Sequence, residues 1–179
     1  MKKMLFFLAG VFFVFGCNEN KTAADVTTHT DSLKTETVAG NVTYPYTIDH
    51  PDNWEIGSTG NTVTALSALK NYEDNNINES IKYFADSVKL NFEALDTTVS
   101  NDSLKAMFTR WRSMSKTLKI KMDDWESVKS KDGKQEWVTL WYREFDDTGK
   151  GLDSIDVVND LQIKNGKITR LDQYTRKLH

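Results

Sequence analysis

The stretch Lys134–Lys177, KQEWVTLWYREFDDTGKGLDSIDVVNDLQIKNGKITRLDQYTRK, decides how the rest of the chain is read. It divides into three strands, Gln135–Phe145, Ser154–Lys164 and Lys167–Arg176, each rich in β-branched and aromatic residues. Asn165-Gly166 joins the second pair, and that dipeptide favours the tight turn whose twist matches antiparallel strands. A fourth strand, Leu118–Lys129, leads into the stretch across Lys131-Asp132-Gly133, another hairpin signal. In that strand Leu118, Ile120 and Met122 share a face until the alternation slips at Asp123-Asp124, which predicts a bulge. In the next, Trp137, Thr139, Trp141 and Arg143 share one face and Val138, Leu140 and Tyr142 the other. Both faces therefore carry large side chains and both are expected to be covered.

Upstream the period changes from two to three or four. Leu104, Met107, Phe108, Trp111 and Met114 form one apolar stripe of a helix, with Ser100, Asn101 or Asp102 as its cap. Lys105, Arg110, Arg112 and Lys116 oppose that stripe and read as a solvated outer face. Before it, Ser87–Phe92 alternates as a strand. A short helix carries Ile77, Ile81 and Phe84. A first helix carries Val63, Leu66, Leu69 and Tyr72, with Asn61 or Thr62 available as its cap. Val42–Trp54 contains Pro45, Pro51, Tyr44, Tyr46 and Trp54, rings that a polar tether does not need, so it is expected to lie against the domain.

The amino terminus is a different material. Lys2 and Lys3 precede an almost unbroken apolar run, Leu5–Phe15, and Gly16 stands directly before Cys17. This is the layout of a secretory signal, too short for a comfortable membrane span. Val14-Phe15-Gly16-Cys17 resembles the bacterial lipobox, in which the cysteine is lipidated and becomes the mature end. The expected organisation is a signal peptide over 1–16, lipidated Cys17 with a flexible tether over 17–40, and one domain over 41–179. Cys17 is the single cysteine of 179 residues, so one chain cannot form a disulfide. Asn18 follows the cysteine rather than an aspartate, which points to the bacterial outer membrane as the extracytoplasmic destination. Asp31-Ser32-Leu33 resembles a short O-glycosylation acceptor of some Bacteroidetes, a pattern that recurs by chance at Asp86-Ser87-Val88 and Asp153-Ser154-Ile155.

Helix, short helix, strand, helix and four-stranded meander is the order of the nuclear transport factor 2-like superfamily, which includes SnoaL-like cyclases and ketosteroid isomerases. Three stretches resemble it: Asn71–Asn76 through Tyr83–Val88, Leu152–Val157, and Asn165–Tyr174. The resemblance implies an α+β cone, three helices packed in a curved antiparallel sheet around a pocket. It also implies pairing of two copies through the outer side of the sheet. In ketosteroid isomerases the pocket holds an acidic base, a phenol and a protonated acid. Carried over, the acid falls on Asp156, the base on Phe92 and the phenol near Ala68, so one of three parts is present. The resemblance turns Asp156 inward. Alternation instead sets it with Asp160 and Gln162, opposite Ile155, Val157, Leu161 and Ile163.

Formal net charge is −3 without a basic block, which argues against nucleic acid as a partner. His29, His50 and His179 lie in tether, loop and terminus, so neither a metal site nor a cofactor is expected. The resulting expectation is a lipid-anchored domain that binds a small apolar ligand without turnover and has no catalytic residue. Asp156 and Gln173 are its polar contacts, and Trp111, Trp141, Leu171 and Phe92 its apolar lining. The alternative is an enzyme of isomerase, cyclase or dehydratase type acting on a small apolar substrate in the same pocket.

Overall fold

The computed structural model describes residues 45–46 and 54–178. Expectations for the leader, Cys17, the tether, His29, His50 and His179 fall outside the described residues. Of the Val42–Trp54 segment, Tyr46 is exposed and Trp54 belongs to a short edge strand, β1 (Trp54–Ile56).

Ser58 opens the first helix, α1 (Thr59–Glu73), by accepting a hydrogen bond from Gly60 N. Asn61, one of the two caps read from the sequence, is instead buried and donates to Glu136 Oε2 at 2.6 Å. A four-residue helix, α2 (Ile77–Ser80), and a single 3₁₀ turn lead into β2 (Phe84–Phe92) and β3 (Leu95–Ser100). Ser100 then caps α3 (Asn101–Ser113) by accepting from Ser103 N, and Asn101 ties that helix back to Ala85 O at 3.1 Å. The meander follows as β4 (Thr117–Ser130), β5 (Glu136–Asp147), β6 (Leu152–Lys164) and β7 (Lys167–Lys177). Asn165 and Gly166 both have positive φ, 54° and 72°, as the tight turn between β6 and β7 requires. The register of β4 against β5 slips between Met122 and Asp124, where the alternation broke.

The sheet corrects the expected architecture. Its seven strands run in the order β1-β4-β5-β6-β7-β2-β3, and β2 pairs with β7 in parallel. The sheet is therefore mixed, and among the described residues it is open, with β1 and β3 as its edges, rather than an antiparallel cone. The physical reason is long-range: after its hairpin with β3, β2 is the partner available to the last strand of the meander, and their chain directions coincide. Nothing in the local pattern of either strand encodes that pairing.

The helices cover one face of this sheet. Ala65 and Ala68 of α1, Leu104 and Phe108 of α3, and Val88, Leu90, Val138, Leu140 and Leu161 of the strands form one buried cluster. Arg112, read from the sequence as part of a solvated face, is only 8% exposed. Its guanidinium donates to Glu73 O at 3.2 Å and to Ser115 O at 3.1 Å, closing the carboxyl end of α1 with a cation.

Candidate active site

Between α1, α3 and the covered face of the sheet lies a pocket of about 290 Å³. Small Ala65 and Ala68 leave the room, and rings supply one wall. Tyr72 meets Phe108 edge-on at 5.2 Å between centroids, Phe84 meets Phe108 at 5.4 Å, and Trp111 stands 5.8 Å from Phe92. The facing wall comes from three neighbouring strands. Leu140, Tyr142 and Glu144 project from β5, Asn159 and Leu161 from β6, and Leu171 and Gln173 from β7. Their spacing of two is the alternation of a strand, which carries every second side chain inward.

The polar members are ordered by one another. Gln173 Nε2 donates to Asn159 Oδ1 at 3.1 Å, and Asn159 Nδ2 donates to the Tyr142 hydroxyl oxygen at 3.0 Å. Glu144 accepts no hydrogen bond and forms no ion pair among the described residues. Burial, reinforced by the charge of Asp146, pushes its carboxyl up to about 7, against a smaller opposing pull from Arg112. A carboxyl poised there exchanges a proton readily near neutral pH. Burial also pushes the Tyr72 phenol up to about 12, and lifts Tyr142 well above the usual phenol range. Both phenols therefore stay protonated.

Four of the residues singled out in the sequence line this pocket: Phe92, Trp111, Leu171 and Gln173. Asp156 does not. It faces the other side of the sheet between Arg143, whose Nε lies 2.8 Å away, and Arg176, and those two guanidiniums hold its carboxyl below the usual range. Trp141 is also on that side, in register with Asp124 and Val158, because it is one residue out of step with Leu140 and Tyr142. Glu144 was missed, although the sequence carries its signal. Extending the face Val138, Leu140, Tyr142 by one further step of two reaches it. No phenol stands at Ala68, but Tyr72, one turn on, and Tyr142 of the sheet both border the pocket. Among the described residues no three histidine, cysteine, aspartate or glutamate side chains cluster to hold a metal, and no helix is long and apolar enough to cross a membrane.

Solved structures with the same arrangement of elements include a nuclear transport factor 2-like protein of unknown function from Burkholderia pseudomallei. It is 10% identical over 66% of this chain and 92% of that one, with a TM-score of 0.55. The chain has the nuclear transport factor 2-like fold. Others with this fold are AusH from Aspergillus nidulans, 16% identical over 69% of this chain and 88% of that one, TM-score 0.56, and an LEH-like epoxide hydrolase from M. tuberculosis. The hydrolase is 12% identical over 66% and 84%, TM-score 0.54. No protein-family model matches the sequence, and no curated protein does. At these identities the nuclear transport factor 2-like likeness shows the fold alone. The expectation of binding without turnover is nevertheless corrected. It rested on the absence of an acidic side chain at the expected position, whereas Glu144 stands in the pocket, and solved structures of this fold include an epoxide hydrolase.

Proposed function

We propose that the chain is an enzyme that moves a proton on a small, largely apolar substrate held in the ring-lined pocket, in a reaction of isomerase, cyclase or dehydratase type. The observation that carries this reading is Glu144, a carboxyl in the apolar cavity without a hydrogen-bond or ion-pair partner among the described residues, which burial pushes up to about 7. As the carboxylate it takes a proton from the substrate; as the acid it returns one to a different substrate atom, so no oxidant or co-reactant is consumed. The epoxide hydrolase of the same fold supports catalysis in such a pocket without naming this substrate. The experiment is a screen of isomerisation, dehydration and epoxide opening on small apolar compounds, with Glu144→Gln beside the wild type. Removing a proton-transfer group is expected to cost about 10²-fold or more in kcat. Turnover unchanged in Glu144→Gln sinks the reading, as does no turnover across the screen.

We further propose that Cys17 anchors the protein by a lipid outside the cytoplasm, as the run Leu5–Gly16 before it supports. Cys17→Ser is expected to abolish lipid labelling and release the protein from membranes, and retention in that variant excludes the lipid as anchor. Pairing of two copies through the outer face is supported by Trp141, Val158 and Tyr174, which stand side by side on adjacent strands. Light scattering of the purified protein at micromolar concentration tests it, and a clean monomer refutes it.

A further inference from the structure

The pocket brings together a carboxyl without a counter-ion and rings without a cation. Glu144 borders the cavity and, among the described residues, accepts no hydrogen bond and pairs with no cation. In register it lies between Ile120 of β4 and Ile155 of β6, whose side chains have nothing to donate. Two residues on along the same face, Asp146 keeps one buried oxygen without a partner among the described residues. Arg112 of α3 acts on Glu144 through its charge, but its guanidinium is committed to Glu73 O at 3.2 Å and Ser115 O at 3.1 Å. With both carboxyls ionised, two negative charges face one guanidinium, and that buried excess is costly until a cation offsets it. The rings make the same demand. Tyr72 is inclined at 68° and Phe84 at 83° to Phe108, so these rings stand as walls rather than as a stack. Aromatic faces attract a cation, most strongly where water is excluded. Among the described residues the cation that lies over a ring, Arg170 at 5.7 Å from the Trp137 centroid, belongs to the outer face instead.

We propose that the pocket receives a small organic cation, its ammonium head set against Glu144 and the rings of Tyr72, Phe108 and Trp111, and its apolar body filling the rest. Calling that ligand a substrate rests on the catalytic reading, but the recognition itself requires no turnover. Cavity size sets the scale: about 290 Å³ corresponds to roughly ten water molecules at about 30 Å³ each. The acid–base groups around Glu144 are Tyr142 and Asp146 on its own strand, Tyr72 of α1 and Arg112 of α3. Glu73 of α1 is held to Lys70 Nζ at 3.0 Å and to Ile120 N at 3.2 Å. Both phenols stay protonated and Arg112 stays charged through neutral pH, whereas Glu144, raised to about 7, changes its charge there. A bound cation favours the carboxylate, so binding near neutral pH releases a proton from Glu144.

The probes are phenyltrimethylammonium and its neutral isostere tert-butylbenzene, in which carbon replaces nitrogen. Calorimetry on the full chain gives the affinity of the cation directly and that of the isostere by competition. Repeating it in buffers of different ionisation enthalpy counts the protons released. At pH 8 the cation is expected to bind about tenfold or more tightly than the isostere, the worth of a desolvated cation–ring contact beside a carboxylate. From pH 8 to pH 5 its affinity should fall about tenfold, with proton release near neutral pH, while tert-butylbenzene should not weaken. Glu144→Gln should abolish both the proton release and the pH dependence. Trp111→Leu should cut the preference for the cation about threefold, and Asp156→Asn on the outer face should leave it unchanged. Equal affinities at pH 8 overturn the inference, as does binding of neither probe, or a pH dependence that survives Glu144→Gln. The wild-type preference and proton release decide the matter even if Glu144→Gln fails to fold. Cation preference without any turnover leaves this inference standing while the catalytic reading fails; turnover of neutral compounds without cation preference does the reverse.

Discussion

The two faces of strands β5 to β7 use the same kinds of residue to opposite effect. On the outer face each carboxylate has a partner from a neighbouring position. Asp156 sits between Arg143 and Arg176, Asp172 is 2.7 Å from Arg170, and Asp160 accepts from Thr139. On the inner face, among the described residues, Glu144 has no such partner, and Asp146 keeps a buried oxygen without one. Arg143 and Glu144 are consecutive, so a single step along β5 separates a satisfied carboxylate system from an unsatisfied one. The two guanidiniums hold the Asp156 carboxyl below the usual range, whereas burial raises that of Asp160. A lone carboxyl among rings costs stability and keeps its proton to neutral pH. That contrast, more than charge alone, is why the proposed chemistry is assigned to the inner face.

Removing the apolar wall should break the contrast most. Phe108→Ala takes out the ring that touches Tyr72, Phe84 and Trp111, and should destabilise the domain by about 3–5 kcal/mol in chemical denaturation. Where the variant remains folded, water reaching Glu144 should bring its titration down toward the ordinary carboxylate range. A cost below about 1 kcal/mol would mean that Phe108 is not part of a packed wall.

A second prediction follows from linkage. The folded pKa of Glu144 lies above its unfolded value, so between the two the native state binds more protons, and stability falls as pH rises through that window. From pH 5 to pH 8 Glu144 alone should remove about 2–3 kcal/mol, set by its rise from 4.5 to about 7. Glu144→Gln should flatten that slope and leave the protein more stable than wild type at pH 8. A slope identical in the variant would assign the effect to another group.

The smallest effect is expected on the outer face. Asp156→Asn should scarcely move Tm and should leave the Glu144 titration unchanged, because an exposed pair contributes little and the sheet separates it from the pocket. A large loss of turnover in Asp156→Asn would erase the distinction between the faces.

What was legible in the sequence follows the same division between local and non-local causes. The β6–β7 hairpin could be read because Asn165-Gly166 specifies its turn, and the meander because alternation is a local property. The parallel pairing of β2 with β7 could not, since it joins Leu90 to Leu171 across most of the domain. The three residues of β1 are too few to show a period, and β3 is held in place by its partner. At the site, the aromatic and aliphatic lining was visible as apolar positions on known faces. The role of Asp156 depended on which guanidiniums its neighbours present, a matter of register. Glu144 was legible by alternation, but a family resemblance drew attention to β2 and β6, where the analogous carboxylates would stand.

The most direct test of the account is the ionisation of Glu144 itself. Carboxyl-carbon NMR of the folded protein, labelled at glutamate and assigned by comparison with Glu144→Gln, follows that one group from pH 4 to pH 9. The account predicts a midpoint near 7, well separated from the exposed glutamates. A midpoint in the ordinary range near 4.5 would contradict it, leaving the pocket without a group poised for proton transfer at neutral pH.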